Sequence, residues 1–153
     1  SRIFLDYQSK TSVALLKILL QEYWHLEPDL EIAQIGFEQK ITGTDAALVI
    51  GDRAFDLNIK HQYIYDLSEI WKEMTGLPFV FAVWISHRKL PQSFIFEFNK
   101  ALKFGLESVN NVPVEVAVNY SFCTNLTDYL KNKISYALDA AKLEGMNLFL
   151  QKI

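Results

Sequence analysis

The chain has 153 residues, the length of one domain, and half of them are apolar, enough to bury a sizeable core. A net charge of −3 without a Lys and Arg cluster argues against a nucleic-acid partner. The lone Cys123 excludes an internal disulfide and is typical of a reducing compartment, so we expect a cytoplasmic protein. No apolar run is long enough for a membrane span, and the histidines show no metal-ligand spacing, so we expect neither membrane nor metal.

The first half of the chain alternates predicted strands with predicted helices. Short β-rich runs at 2–7, 31–35 and 45–50 predict strands, and the wide apolar face from Val13 to Trp24 predicts a deeply packed helix. Such alternation is typical of a parallel sheet covered by helices. The sequence therefore predicts an α/β fold.

A capped helix followed by a wholly apolar segment gives the strongest local signal. Asp66 is a natural N-cap, and Glu69, three residues later, completes a capping box. Gly76 can close the helix in the left-handed conformation, and Pro78 prevents its continuation. Residues 79–85 contain no polar side chain, so they predict a strand that is covered on both faces.

Two regions follow from these elements. Residues 1–85 predict an α/β lobe that ends in a crossing strand at 79–85, and residues 86–153 predict a mainly helical part. The segment 113–118 alternates like a strand but lies between helices, so its conformation stays open. In the last helix Gly145 should cost stability. The predicted helix boundaries in this part are Pro91, Gly105, Thr124 and Asp139.

Three hydroxyl side chains lie where the first predicted strand gives way to the first helix. They are Ser9, Thr11 and Ser12. A helix N-terminus offers free backbone N–H groups and partial positive charge, which suits a carboxylate or phosphate. The alternative, which the residues alone favour, is that one hydroxyl simply caps the helix.

The third predicted strand runs into Gly51, Asp52 and Arg53. In open α/β sheets ligands bind at the carboxyl ends of strands, so Asp52 and Arg53 could place a carboxylate and a guanidinium at the rim of a pocket. Asp52 is then a candidate acid, base or hydrogen-bond acceptor. The alternative is a turn with a surface ion pair. Residue by residue, the chain thus predicts an α/β domain with a small anionic ligand and assigns no reaction.

Three segments together carry a family resemblance. They run from Tyr7 to Leu20, from Ala47 to Ala54, and from Tyr65 to Trp84. Their order and spacing resemble the chorismate dehydratases of the futalosine route to menaquinone. The C-terminal helices, with Tyr129-Leu130 and Ile134 to Tyr136, are similar to that family as well, so the resemblance covers nearly the whole chain.

The resemblance implies part of a two-lobed fold like that of type II periplasmic binding proteins, with the site in the cleft. Residues 1–85 would form one lobe with its crossing strand, and residues 86–153 would pack on the other lobe. Family members have an additional N-terminal segment with a Tyr-Leu-Asn-type motif, which has no counterpart here. We expect that segment, or a second chain, to cover exposed apolar surface, and we expect the isolated 153 residues to be inactive.

The implied activity is a cofactor-free carbon–oxygen lyase that dehydrates chorismate to 3-[(1-carboxyvinyl)oxy]benzoate. Ser9, Thr11, Ser12 and Gly51 would bind the substrate, and Asp52 would be catalytic. One alternative is a solute-binding protein for small anions with the same fold and no catalysis. Another is the related futalosine-pathway lyase, which typically has His-Glu where this chain has Gly51-Asp52.

Overall fold

The structure is a computed structural model that describes residues 1–51, 53–54, 61–109 and 128–153. It divides into two compact units. Unit 1 combines Ser1–Ala82 with Leu138–Ile153, and unit 2 is Val83–Ala137. The division falls close to the predicted boundary at residue 85, but Leu138–Ile153 belongs to unit 1. How residues 86–137 relate to a second lobe stays a prediction.

Unit 1 is built on a small parallel sheet, which confirms the predicted α/β class. Its strands are β1 (Arg2–Leu5), β2 (Asp29–Ile32) and β3 (Ala46–Ala47), in the order β2-β1-β3. Ile3 is in register with Leu30 on one side and with Ala46 on the other. The third strand is shorter than predicted, although the Leu48 N–H still donates to the Phe4 carbonyl at 2.8 Å. The central strand is therefore β1.

Helix α1 (Lys10–Glu22) covers one face of this sheet and also joins the helical core. Leu16 and Leu20 pack with Leu5 and Leu48 against the sheet. Leu15 and Leu19, on a neighbouring stripe, lie in a second cluster with Trp71 and Phe149. On the opposite face Phe4 packs with Ala33 and Phe37, the latter in a short 3₁₀ helix, Phe37–Lys40. Alternate residues of β1 thus bury opposite faces, as strand geometry requires.

Helix α2 (Leu67–Thr75) begins and ends where the sequence predicts. The Asp66 side chain accepts from the Ser68 N–H, and Gly76 closes the helix at a φ of 76°. Trp71 is the fully buried residue of this helix. The reciprocal bond of the predicted capping box, in which the Asp66 N–H would donate to the Glu69 carboxylate, is absent from the described residues. Asp66 alone is sufficient to cap this helix.

Residues 79–85, where the sequence predicts a crossing strand, have no regular secondary structure. All three strands of the sheet pair only with one another, so no described strand offers this segment backbone partners. An apolar run forms a strand only when a neighbouring strand supplies N–H and C=O groups. Phe79 instead packs its ring edge-on against Trp71 and Phe149. Its role as a crossing between lobes stays a prediction.

Helix α4 (Ala140–Lys152) closes the core of unit 1. The side chain of Asp139 accepts from the Lys142 N–H and caps the helix, as predicted. Phe149 is buried with its ring 6.1 Å from that of Trp71. Gly145 is buried against the backbone of Pro78, where a β-carbon would overlap the carbonyl oxygen. Beside its predicted cost to the helix, Gly145 thus has a packing role, because a larger residue would push α4 off the core.

Unit 2 contains helix α3 (Gln92–Glu107) and a π-helical turn, Tyr129–Lys133. Pro91 precedes α3 as predicted, but the helix continues through Gly105 for two more residues. None of its side chains is buried, and Phe96 and Phe104 are more than half exposed. The segment 113–118, the helix start at Thr124 and Cys123 lie outside the described residues.

Candidate functional site

The carboxyl end of the central strand β1 is occupied by a buried carboxylate, Asp6. Its side chain is fully excluded from solvent. One oxygen, Oδ1, accepts from the Gln8 N–H at 2.8 Å, and Oδ2 accepts from the Ile50 N–H at 3.3 Å. Asp6 therefore links the loop after β1 to the chain that leaves β3. Burying such a charge requires a cation beside it.

Arg53 supplies that cation. Its Nη2 donates to Asp6 Oδ2 at 2.6 Å and to Gln8 Oε1 at 3.1 Å. Its Nη1 donates to Glu38 Oε1, in the 3₁₀ helix after β2, at 2.7 Å. These four residues, Asp6, Gln8, Glu38 and Arg53, form what we call the carboxyl-edge cluster.

Two aromatic rings lie near the guanidinium of Arg53. Its central carbon lies 5.2 Å from the centre of the Tyr7 ring and 5.7 Å from that of Phe37. Burial lowers the pKa of Arg53, but the hydrogen bond to Glu38 and the charges of Asp6 and Glu38 outweigh it and raise that pKa overall. Arg53 is therefore a permanent cation whose two terminal nitrogens are both hydrogen-bonded to the protein.

The hydroxyl turn lies beside this cluster, at the N-terminus of α1. Ser9 Oγ accepts from the Ser12 N–H at 3.1 Å and donates to Ser12 Oγ at 2.8 Å. Ser9 is thus the N-cap, as the alternative interpretation of the sequence held. The N–H groups of Lys10 and Thr11 have no acceptor in the described part of the chain. These two donors remain for an anionic ligand.

An open cavity of about 370 Å³ adjoins these groups. We call it the α1 cavity. Lys10 and Lys17 lie on the same side of α1, two turns apart, and both line this cavity. Its lining consists of Leu5, Asp6, Tyr7, Ser9, Lys10, Val13, Ala14, Lys17 and Ile32. The arrangement of an apolar floor, a helix N-terminus and two cations suits a small anion.

A larger open groove of about 500 Å³ lies between Leu77 and α4. Among the described residues that line it, Glu144 is the charged one, and Asn147 and Gln151 are the other polar side chains. None of these described lining residues is a cation that could hold a carboxylate. The described residues contain no group of three or more His, Cys, Asp or Glu side chains that could hold a metal ion.

The sequence-predicted site residues are only partly brought together. Ser9 lines the α1 cavity, while Ser12 is buried beside it and Thr11 is half-buried. Gly51 forms an exposed turn at a φ of 65°, in which its carbonyl accepts from the Ala54 N–H. Asp52 lies outside the described residues.

Sequence reasoning missed Asp6 and the two lysines. The signal for Asp6 was available, because an acidic residue directly after an apolar strand marks the carboxyl edge of a parallel sheet. Lys10 and Lys17 are separated by seven residues, which places them on one face of a helix that also carries Ser9 at its cap. The sequence predicts Arg53 as a guanidinium at a pocket rim or in a surface ion pair, but not as the partner of the buried Asp6.

Comparison with known proteins decides the family. A family model described as "Menaquinone biosynthesis" matches residues 1–153. The chain belongs to this menaquinone biosynthesis family. Within it, the chain is similar to a protein of Thermus thermophilus named chorismate dehydratase, with 28% identity over 172 aligned positions. The alignment covers 100% of this chain and 63% of that relative, so the chain spans less than two thirds of the relative's length.

In this member of the menaquinone biosynthesis family, none of the helices in the described ranges combines the length and apolar character needed to span a bilayer.

Proposed function

We propose that this chain is part of a chorismate dehydratase, with the α1 cavity as the substrate-binding surface of the α/β lobe. The observation that carries the proposal is the meeting of three anion-attracting features in one cavity. The first is the pair of backbone N–H groups without an acceptor at the start of α1. The second and third are the side chains of Lys10 and Lys17. Support for the reaction comes from the family match over residues 1–153 and from the name of the Thermus relative.

The substrate's charge fits this cavity. Chorismate carries two carboxylates, so binding should be dominated by cations and N–H donors. One carboxylate would lie at the N-terminus of α1, where the dipole and the N–H groups of Lys10 and Thr11 favour negative charge. Lys10 and Lys17 would neutralise the remaining charge at the rim. Ser9, Thr11, Ser12 and Gly51 remain our proposed substrate-binding residues.

The reaction removes a proton from the ring carbon that bears the enolpyruvyl ether and hydroxide from the neighbouring carbon. Water and an aromatic ring, 3-[(1-carboxyvinyl)oxy]benzoate, are formed. Aromatisation supplies a large driving force, so the protein's task is to orient the diene and to protonate the leaving hydroxyl. Asp6 is unsuited to that task because three donors already occupy its carboxylate. We therefore keep Asp52 as the proposed catalytic group.

The fold proposed for the complete protein is the two-lobed arrangement of type II periplasmic binding proteins. In it the α/β lobe described above would contribute one wall of the cleft. The parallel sheet with its site at the carboxyl edge supports this proposal.

The test is an assay of the complete protein with chorismate, following the change in absorbance as the ring becomes aromatic. We expect loss of chorismate and release of water without added cofactor. Binding of chorismate without turnover would instead support a solute-binding protein. Lys10→Ala and Lys17→Ala should each raise the KM roughly five- to tenfold, the effect of losing one partly screened charge pair.

A matched control is Lys72→Ala, which removes an exposed lysine from α2, away from the α1 cavity. It should leave the KM unchanged. Thr11→Ala tests the hydroxyl turn without disturbing the Ser9 cap. An unchanged affinity for chorismate in Thr11→Ala would remove this hydroxyl from the proposed anchor.

A further inference from the structure

A single guanidinium connects the loops that follow all three strands of the sheet. Arg53 follows β3, Gln8 follows β1 and Glu38 follows β2, and Arg53 donates to both of the others and to Asp6. We propose that Arg53 is a positioning residue that fixes the wall of the α1 cavity and does not itself contact the substrate. This inference rests on the proposed function for its kinetic test, and on the structure alone for its second test.

Arg53 is not proposed as a ligand for the substrate because its terminal N–H donors are already used within the protein. Both terminal nitrogens already bond to protein oxygens, and the two ring faces of Tyr7 and Phe37 flank the guanidinium. The cluster sets two carboxyl groups against this one guanidinium, so Arg53 has little positive charge left to attract a dianion. Lys10 and Lys17, which line the same cavity, are the cations that would attract it.

Arg53 acts on the cavity through Asp6 and Tyr7, which both line it. Asp6 is fully buried, and its carboxylate also accepts the N–H groups of Gln8 and Ile50. Without the guanidinium the carboxylate would be a buried charge without its cation, and it would turn toward water. That movement would release both N–H groups and shift the loop that forms the cavity wall.

The same sheet contains a matched control at its opposite edge. Arg2 donates to Glu31 at 3.1 Å and to Asp45 at 2.8 Å, and so links a residue within β2 to the residue before β3. It is also an arginine bound to two carboxylates, with an aromatic ring, that of Phe4, 4.4 Å from its central carbon. It is not among the residues that line the α1 cavity.

The kinetic test compares Arg53→Gln with Arg2→Gln in the complete protein. We expect Arg53→Gln to lower kcat by roughly 30- to 100-fold, since a displacement of about 1 Å at a catalytic wall has effects of this size. The KM should change less than about threefold, because the lysines that attract the substrate belong to α1. Arg2→Gln should leave both constants within about twofold, and Arg53→Lys should recover part of kcat, since an ammonium still neutralises Asp6.

Two kinetic results would overturn the proposal. A tenfold rise in KM at unchanged kcat in Arg53→Gln would show that Arg53 binds the substrate. Equal losses of kcat in Arg53→Gln and Arg2→Gln would show a general loss of stability.

The second test needs no turnover. In the wild type the amide N–H groups of Gln8 and Ile50 donate to Asp6. In Arg53→Gln, hydrogen exchange at these two amides should accelerate about tenfold or more, and it should stay unchanged at Val13 in α1. Unchanged exchange at Gln8 and Ile50 would overturn the proposed linkage. If exchange accelerates as expected but the wild-type protein does not consume chorismate, the proposed function fails while the linkage stands.

Discussion

The α-carbon of Gly145 faces the carbonyl oxygen of Pro78 so closely that any β-carbon at position 145 would overlap that oxygen. The side chain of Leu77 lies at van der Waals distance from the same point. Since a backbone carbonyl cannot rotate away as a side chain does, only glycine allows α4 to lie this near the turn after α2. This contact places Phe149 next to Trp71.

Gly145→Ala should therefore destabilise unit 1, although alanine is the better helix former. We expect a loss of roughly 1–3 kcal/mol, as for other residues that overfill a packed site. Urea unfolding of the wild-type and variant proteins measures it.

Gly105→Ala is the matched control, because Gly105 lies in α3 with open space around its α-carbon. There the intrinsic preference for alanine should prevail and stabilise the helix by roughly 0.5–1 kcal/mol. If both variants were stabilised, the close approach of α4 to Pro78 would be refuted.

Variants of Trp71 measure how much the packing of this side chain contributes to the stability of unit 1. Its side chain is fully buried, and its indole N–H has no acceptor within the described residues. Trp71→Ala should cost about 3–5 kcal/mol, the usual result of emptying a large aromatic site. Trp71→Phe should cost only about 1–2 kcal/mol, because it loses volume but no hydrogen bond. Chemical denaturation of the two variants distinguishes these values, and equal losses would mean that the N–H does bind an acceptor.

Asp139 should make the stability of unit 1 depend on pH in the acid range. The backbone N–H of Lys142, followed by its side chain, holds the pKa of Asp139 below its ordinary value of 3.8. The carboxylate is therefore favoured in the folded state, so its contribution is present above pH 3.8 and is lost as the pH falls through the lowered pKa. Tm measured from neutral to strongly acidic pH should fall less steeply in Asp139→Asn, which keeps a capping oxygen but does not titrate.

Asp139→Ala is the control for that experiment. It removes the cap as well as the charge, so its Tm should be lower than that of Asp139→Asn at neutral pH. A wild-type profile identical in slope to that of Asp139→Asn would contradict the pH argument.

Gly51 sets the direction of the chain between β3 and Arg53. Its φ of 65° is in the left-handed region, and nothing lies within 4 Å of the place where a β-carbon would be. Gly51→Ala should thus cost roughly 1–2 kcal/mol through backbone strain alone. Gly51→Asn should cost less, because asparagine tolerates this conformation. Equal stability of the alanine variant and the wild type, in equilibrium unfolding, would refute the strain argument.

The sequence predicts those parts of the fold that depend on neighbours a few residues away. Asp66, Gly76 and Asp139 mark helix ends correctly because a cap needs only a side chain and the next turn of backbone. The parallel class of the sheet also follows, since strands separated by helices cannot pair as hairpins.

What the sequence does not predict depends on distant partners. The buried carboxylate of Asp6 is neutralised by Arg53, which lies far along the chain. Position 145 must be glycine because of the carbonyl oxygen of Pro78, which is also distant in sequence. The segment 79–85 has the composition of a strand, but whether it becomes one is decided by whichever backbone lies beside it. The sequence therefore predicts site residues at the carboxyl edge of the sheet, but it does not predict the contacts of Arg53 with Asp6 and Glu38.

The core of unit 1 combines two segments that are translated at different times, because unit 2 lies between them in the chain. Leu15, Leu19 and Trp71 are synthesised before unit 2, whereas Phe149 follows it. Until Phe149 emerges, Trp71 and Phe79 lack one of the rings that they pack against. While unit 2 is being translated, apolar side chains of unit 1 therefore stay exposed on the nascent chain. Chaperones bind exposed apolar surface of this kind. A stalled or prematurely terminated translation product should consequently be cleared by proteases and not accumulate as a folded half.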